Sequence, residues 1–151
     1  MSATPTVSVL TPVYDTAPDV LAECLAHRRT TGGGPVTILS CDNLPGNGDV
    51  ARRAMLSAAE RCSPDLALWI GDNCSFPNSM VDRITPATSD ADRQWLRDEL
   101  GIDDAWPVVA EPFRQWVLED DFVAGRPPWH EVGVLFTDDV HAWELYKLRL
   151  L

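Results

Sequence analysis

The residues of this chain best suited to chemistry are a glutamate and a lysine near its end, Glu144 and Lys147. At a spacing of i, i+3 the two side chains share one face of a helix, beside the apolar residues Trp143, Tyr146 and Leu150. An apolar setting disfavours the ammonium form of a lysine, which can then serve as a general base. The alternative is a solvated ion pair on a helix surface, which spacing alone favours.

Two further pairs of polar residues lie close to apolar segments. Asp42 and Asn43 follow an apolar run over residues 36–41. An amide at the carboxyl end of a strand can donate a hydrogen bond to an oxyanion, and an Asx turn that only caps the loop is the structural alternative. Asp82 and Arg83, between apolar neighbours, favour either a buried ion pair or a carboxylate that binds hydroxyl groups. For both pairs, composition alone favours the structural alternative.

The loop that begins at Asp42 is the first place to look for a ligand because of the elements before it. A helix that Asp19 caps and Gly32 stops precedes a buried strand over residues 35–41, rich in β-branched side chains. Such a pair is half of an α/β unit, so we expect a parallel sheet, whose ligands bind beyond the carboxyl ends of its strands. The sequence contains no glycine-rich phosphate loop of the G-x-G-x-x-G type.

Other segments give structural signals. Residues 66–70 form a short apolar run, and residues 71–79 are polar and predict a loop. The remaining predicted elements are a strand over residues 7–10, helices over residues 49–62 and 140–151, a helix from the capping residue Ser89 to Gly101, and a strand over residues 132–136.

Composition restricts the class of protein. The 151 residues suffice for one ordinary domain, and a net charge of −11 makes nucleic acid and anionic membrane surfaces poor partners. No apolar run reaches the ~20 residues of a membrane span, and the first ten residues lack a signal-peptide pattern, so we expect a cytoplasmic protein. Four cysteines without a C-x-x-C pair predict mostly buried, reduced thiols and no zinc site, and six tryptophans predict a large aromatic core.

Four blocks of the sequence resemble one known family. They are residues 40–48 (SCDNLPGNG), 76–86 (FPNSMVDRITP), 111–120 (EPFRQWVLED) and 144–151 (ELYKLRLL). Over residues 18–151 the chain resembles the mannitol dehydrogenase family of long-chain polyol dehydrogenases, which includes mannitol 2-dehydrogenase and fructuronate (mannonate) reductase. The block at residues 76–86 resembles the family's signature stretch and is highly specific.

This resemblance implies a reaction and a role for each candidate residue. NAD or NADP, without a metal, would exchange a hydride with C2 of a sugar alcohol or ketose. Lys147 would be the general acid–base, and Asn43 would stabilise the negative charge that develops on the substrate oxygen. Asp82 would bind substrate hydroxyl groups, and Glu144 would line the proton path between Lys147 and solvent. Fructuronate reduction is the alternative activity within the family.

The resemblance also implies a fold and a longer parent protein. Residues 1–88 would be the C-terminal portion of an α/β Rossmann domain with a parallel sheet, and residues 89–151 would begin a mostly α-helical domain. The family's glycine-rich nucleotide loop would precede this segment, and further substrate ligands would follow Leu151. We therefore expect an internal fragment of a monomeric enzyme whose partner is a small polyol or ketose. A different hypothesis is that the isolated chain catalyses nothing.

Overall fold

The computed structural model describes residues 7–10, 17–83 and 85–150. The chain divides into two compact units, a larger one that ends at Val81 and resumes at Trp116, and a smaller one over Asp82–Gln115. None of the helices described here has the length and apolarity needed to cross a bilayer. The elements in chain order are β1 (Val7–Leu10), α1 (Ala17–Thr30), β2 (Val36–Ser40), α2 (Asn47–Cys62), α3 (Pro64–Asn73), β3 (Cys74–Ser75), β4 (Ser79–Asp82), α4 (Asp90–Leu100), β5 (Gln115–Glu119), a 3-10 turn (Trp129–Val132), β6 (Leu135–Thr137) and α5 (Val140–Leu150).

Strands β1, β2 and β3 confirm the predicted parallel sheet. Strand β2 lies in the middle and pairs in parallel with both neighbours, Thr37 with Val7 of β1 and Val36 with Cys74 of β3. Strands of a parallel sheet are covered on both faces, which explains the nearly continuous apolar run in β2 and the complete burial of Ile38. The loop after β2 therefore starts from a rigid support.

Helices α1, α2 and α3 contribute to the apolar core around this sheet, with small and branched side chains. Ala22 and Leu25 of α1 are buried, as are Met55 and Ala58 of α2. Val20, in the first turn of α1, lies away from this core and is 57% exposed. The small residues on α1 and α2 allow the helices to approach the core closely without voids.

Several predicted elements differ from the structure. Helix α1 begins at Ala17, so Asp19 is not its cap but lies in its first turn and forms an ion pair with Arg61 of α2. The apolar run at residues 66–70 belongs to helix α3, whose first turn contains Pro64, a residue suited to that position. Short apolar runs fit strands and helices equally, so periodicity alone could not decide between them.

The predicted strand over residues 132–136 is replaced by the 3-10 turn, which ends at Val132, and by β6. The turn ends because Gly133 has φ 94, a backbone conformation that glycine adopts readily. Helix α2 begins at Asn47 rather than at residue 49, and the predicted loop over residues 71–79 contains the end of α3, strand β3 and the first residue of β4.

A second sheet has the strand order β4-β5-β6, with β5 and β6 parallel. Leu118 of β5 is fully buried against a cluster that includes Trp116 and Trp129, whose ring centroids lie 5.3 Å apart. In the smaller unit, by contrast, Trp95 is 58% exposed and Trp106 is 82% exposed. The expected aromatic core is therefore present only in part.

The smaller unit contains α4, whose two ends match the prediction. The Ser89 side chain accepts a hydrogen bond from the N–H of Asp92, and the Asp92 carboxylate accepts one from the N–H of Ser89. The hydrogen bonds that the Asp92 carboxylate accepts from the hydroxyl and from the N–H of Ser89 lower the pKa of the Asp92 carboxyl. Gly101, at φ 66, ends the helix in the left-handed conformation. Arg93 donates from Nε to the carbonyl of Ala105 and so fixes the following loop on α4.

The four cysteines are free, but the expectation of mostly buried thiols is wrong. Cys24 and Cys62 are exposed on α1 and at the end of α2, and Cys41 is half-buried. Only Cys74, inside the parallel sheet, is buried. Its burial raises the pKa of the Cys74 thiol from 9.0 to about 11, against a smaller lowering by the charge of Arg28.

At pH 8, iodoacetamide is expected to alkylate Cys24 and Cys62 in the native chain while leaving Cys74 unmodified. The thiolate is the reactive species, and Cys74 combines a raised pKa with little access to the reagent. Peptide mass spectrometry identifies the modified positions, and the chain unfolded in urea, in which all four cysteines should react, is the control. Rapid alkylation of Cys74 in the native chain would contradict its burial.

Candidate active site

A cavity of about 230 Å³ lies where the loop after β2, the strand β4 and the helix α5 meet. Its position, beyond the carboxyl end of the central strand of a parallel sheet, is the usual place for a ligand in α/β proteins. The residues that line it all belong to the larger unit and are Asp42, Asn43, Leu44, Pro45, Ser79, Met80, Val81, Glu144 and Lys147.

Lys147, on α5, points its ammonium group into this cavity. Its Nζ donates to Oδ1 of Asn43 at 3.1 Å and to the carbonyl oxygen of Val81 at 2.9 Å. The two acceptors come from the loop after β2 and from β4, so both segments fix the position of the lysine. The structure thereby brings together Lys147 and Asn43, two predicted site residues that lie 104 positions apart in the sequence.

The contact also orients the amide of Asn43. Because Oδ1 accepts from Lys147, the Nδ2 group is the end of the Asn43 side chain that can donate to another oxygen. An ammonium donor and an amide donor thus lie side by side at one cavity. The neutral amine of such a lysine can take a proton from a hydroxyl group, and the ammonium that forms and the amide can both stabilise the oxyanion left behind.

Glu144 lies one turn before Lys147 and lines the same cavity. Its side chain is only 12% exposed, so the predicted alternative of a solvated surface pair does not describe it. Oε1 accepts a hydrogen bond from the N–H of Gly46 at 3.3 Å, and Oε2 lies 3.4 Å from Nδ1 of His141. The carboxylate is therefore fixed between the loop after β2 and the first turn of α5.

The fourth predicted site residue, Asp82, is the last residue of β4, and its side chain lies outside the described residues. Its neighbour Val81 lines the cavity and accepts the hydrogen bond of Lys147. Arg83, predicted as a possible ion partner of Asp82, donates from Nε to the carbonyl oxygen of Glu111 at 3.0 Å within the smaller unit.

Asn47 supports the site and is missing from the sequence prediction. It is buried, and its Nδ2 lies within 2.9–3.2 Å of the carbonyl oxygens of Ser40, Asp42 and Ser79. Its Oδ1 accepts from the N–H of Ser79 at 2.8 Å. One side chain thus joins the loop after β2 to the start of β4. No local signal distinguishes it from the other asparagines, because its partner Ser79 lies 32 positions away in the sequence.

Asn78 fixes the start of α2 from outside the helix. Its Oδ1 accepts hydrogen bonds from the N–H groups of Gly48 at 3.0 Å and Asp49 at 3.2 Å, two groups that lack partners within a helix. Its Nδ2 donates to Oε2 of Glu119 at 3.1 Å. The first turn of α2 is therefore occupied by a side chain and is not arranged as an anion site.

The contact between α2 and the segment before β4 requires a glycine at position 48. A Cβ at Gly48 would lie 2.3 Å from the carbonyl oxygen of Phe76 and 2.6 Å from the carbonyl carbon of Pro77, both backbone atoms. A side chain there would force α2 away from β4 and disturb the bonds of Asn47 and Asn78 that shape the cavity.

The variant Gly48→Ala is therefore expected to lower the free energy of unfolding by about 1–3 kcal/mol, the usual cost of overpacking. Urea unfolding followed by circular dichroism measures the change. Gly71→Ala is the matched control, because a Cβ at Gly71 in helix α3 meets nothing within 4 Å and should stabilise the helix slightly. Equal stability of Gly48→Ala and the unmodified chain would show that the close contact is absent in solution.

Groups that could hold a metal or a nucleotide phosphate are not evident in the part of the chain that the structure describes. Within it, no three His, Cys, Asp or Glu side chains are arranged to ligate a metal ion. The described residues also contain no glycine-rich phosphate loop, and Asn78 occupies the first turn of α2.

The sequence of the chain matches a family model described as the mannitol dehydrogenase Rossmann domain over residues 11–131. It is 51% identical over 134 residues to a mannitol 2-dehydrogenase of Phaeosphaeria nodorum, covering 87% of this chain and 24% of that protein. It is also 51% identical over 131 residues to a polyol:NADP oxidoreductase of Gluconobacter oxydans, covering 87% of this chain and 27% of the relative.

Among solved structures, the chain is similar to the Pseudomonas fluorescens mannitol 2-dehydrogenase in its ternary complex with NAD and D-mannitol. The TM-score is 0.74 at 56% sequence identity, over 85% of this chain and 26% of that one. The chain thus spans about a quarter of the length of the curated relatives and the structure that it matches.

Proposed function

Because this chain belongs to the mannitol dehydrogenase family, we propose that it supplies the proton-transferring part of a polyol dehydrogenase active site. The whole protein would oxidise a secondary alcohol of a sugar alcohol to a ketose, or catalyse the reverse reaction, with NAD or NADP and without a metal. The observation that carries this proposal is the placement of Lys147 Nζ between Asn43 Oδ1 and the Val81 carbonyl, in a cavity beyond the parallel sheet.

Each predicted site residue has a distinct role in the proposal. In the oxidation direction Lys147 acts as the neutral amine, accepts the proton of the substrate hydroxyl and becomes the ammonium, and in reduction the ammonium returns the proton. Asn43 donates from Nδ2 to the substrate oxygen while negative charge develops there. Asp82 binds a neighbouring hydroxyl group of the polyol. Glu144, which lines the same cavity, passes the proton onward from Lys147 toward solvent.

The nicotinamide cofactor, when bound, supplies the hydride acceptor or donor. Of the described residues, those lining the cavity would hold the reacting end of the substrate, whereas none forms a phosphate cradle for the cofactor. The described residues therefore support the choice of reaction, and the choice between NAD and NADP depends on residues outside them. The solved relative contains NAD, and a curated relative is named for NADP.

Two alternatives follow from the same family. Fructuronate reduction would use the same lysine and asparagine on a sugar acid, and the block at residues 111–120 is compatible with it. The isolated chain would be inactive if the phosphate cradle lies in another segment of the whole protein. In either case we propose residues 1–88 as the end of a Rossmann domain and residues 89–151 as the start of a helical one.

The proposal predicts that the isolated 151-residue chain does not bind NADH with a saturable curve, because the described residues include no phosphate cradle. Fluorescence titration with NADH measures this, with Lys147→Ala alongside. If neither chain binds NADH, the result supports the proposal that this segment needs the rest of a dehydrogenase to bind the cofactor. Saturable binding with fructose-dependent oxidation of NADH would show that the chain is a complete enzyme and overturn this division of roles.

A hybrid enzyme tests the chemical roles themselves. In it, residues 18–151 of this chain replace the matching quarter of the Pseudomonas fluorescens mannitol 2-dehydrogenase, which is similar enough for the segment to fit. Formation of NADH from NAD and D-mannitol by the hybrid supports the proposal. A hybrid that folds and binds NAD, yet forms no NADH with D-mannitol, would contradict it.

A further inference from the structure

A second cavity, of about 260 Å³, lies on the other side of Glu144. Among the described residues Glu144 is the only one that lines both cavities, so its carboxylate forms part of the wall between them. The other lining residues of the second cavity are mostly polar and acidic, and they are Gly46, Asp49, Asn78, Glu119, Asp138, Asp139, Val140 and His141.

His141 lies at the mouth of this second cavity. Its side chain is 72% exposed, whereas the side chain of Glu144 is 12% exposed, and Nδ1 of the ring lies 3.4 Å from Oε2 of the carboxylate. The other carboxylate oxygen, Oε1, accepts from the N–H of Gly46, which holds Glu144 in place. A largely buried carboxylate is thus connected to bulk water through one exposed imidazole ring.

We propose that His141 relays protons between Glu144 and solvent during polyol oxidation and ketose reduction. This inference rests on the proposed function, in which Glu144 passes protons to and from Lys147. Imidazole is the side chain whose ordinary titration range includes neutral pH, so it can both accept and release a proton there. The position of the ring, with one nitrogen toward Glu144 and its face open to water, suits that role.

The proton balance of the relay is simple. In oxidation, Glu144 receives a proton by way of the first cavity and gives it from Oε2 to Nδ1 of a His141 ring that carries hydrogen on Nε2. The resulting imidazolium releases the Nε2 proton to water, and Glu144 is again a carboxylate. In reduction the same steps run backwards, with a proton entering at Nε2 and leaving from Nδ1. Exchange with water restores the starting tautomer.

The charged groups that line the second cavity together with His141 favour the transfer of protons through it. They come from the start of α2, from β5 and from the segment before α5, and each is a carboxylate that attracts protons and cations to the cavity. These groups are Asp49, Glu119, Asp138 and Asp139, in addition to Glu144 on α5 itself.

The relay is tested in the hybrid enzyme by the rate of NADH formation in buffers of low concentration. His141→Ala is expected to lower this rate by about tenfold, and added imidazole is expected to restore it in a saturable way, because the free base replaces the ring as proton carrier. His130→Ala, which removes an exposed ring from the 3-10 turn, is the matched control and should change neither rate nor buffer response. A merely structural role of His141 would not produce rescue by imidazole.

The outcomes separate this inference from the proposed function. If Lys147→Ala is inactive while His141→Ala matches the unmodified hybrid in every buffer, the relay is overturned and the role of Lys147 stands. If Lys147→Ala remains active, the proposed function fails and the relay fails with it.

A measurement on the 151-residue chain keeps the inference falsifiable without turnover. The ¹⁵N resonances of the His141 ring report which nitrogen carries hydrogen, and Glu144→Ala is expected to change them while leaving those of His130 in place. Unchanged His141 resonances in Glu144→Ala would exclude the contact on which the relay depends.

Discussion

Replacing Lys147 with alanine in the hybrid enzyme is expected to lower kcat for D-mannitol oxidation by about 10²–10⁴-fold, the usual contribution of a positioned general base. The reason is geometric, because Nζ is the group that two acceptors from separate segments hold at the cavity. Steady-state NADH formation measures kcat and KM, and small primary amines added to the variant should restore part of the rate. A structural role for Lys147 would give no such rescue.

The control for Lys147→Ala removes a positive charge elsewhere. Arg97 on α4 pairs with Asp103 within the smaller unit, and Arg97→Ala is expected to leave kcat unchanged. Thermal unfolding of each variant shows whether the fold survives. A folded Lys147→Ala hybrid with the full kcat would remove Lys147 from the proposed chemistry.

The second large effect is expected at Asn43. Asn43→Ala should lower kcat by about 10²–10³-fold, as loss of one oxyanion donor does, with little change in stability because the side chain is exposed. Asn73→Ala is the matched control, since that amide donates to the carbonyl of Trp69 in helix α3, away from the cavity. Full activity of a folded Asn43→Ala hybrid would show that Asn43 has only a structural role in its loop, which is the Asx-turn alternative.

Asn47 gives the contrasting case of a buried supporting residue. Its amide joins Ser40, Asp42 and Ser79, so removal leaves several buried backbone groups without this partner. Asn47→Ala should therefore lower stability and disturb the cavity together, whereas Asn43→Ala should separate activity from stability. Comparing the two variants distinguishes the chemistry of the site from its support.

The elements that could be predicted from the sequence are those with local signals. Both ends of α4 have short sequence signals, which are the capping box of Ser89 and Asp92 at its start and Gly101 at its end. The structure confirms both ends. Strand β2 is a run of β-branched and apolar residues, which predicts a buried element. Gly32 marks the end of the preceding helix α1.

Elements without clear local signals are left open by the sequence or are predicted with the wrong bounds. Whether residues 66–70 form a strand or a helix depends on packing against the sheet, which periodicity over five residues does not report. The cap-like side chain of Asp19 predicts a start of α1 at residue 20, three residues later than the observed start at Ala17. In the structure its carboxylate pairs with Arg61, a residue on another helix.

In the candidate site, too, the features with local sequence signals could be predicted and those that depend on tertiary contacts could not. The positions of Asn43 at a strand end and of Glu144 and Lys147 on one helix face follow from the sequence, but their meeting at one cavity depends on the tertiary fold. Asn47 could not be found, because its role consists of contacts to segments up to 32 positions away. The roles of all four predicted site residues stay predictions that derive from the family resemblance, and these residues are Lys147, Asn43, Asp82 and Glu144.

The most direct test of the account is NADH formation from NAD and D-mannitol by the hybrid enzyme, compared with the same hybrid carrying Lys147→Ala. We expect turnover in the hybrid and a loss of about 10²–10⁴-fold in the folded variant, because we propose that Lys147 of this segment is the general base. Equal turnover by the two folded proteins, or none from a folded hybrid that binds NAD, would contradict the claim that this chain carries the proton-transferring residues of a polyol dehydrogenase.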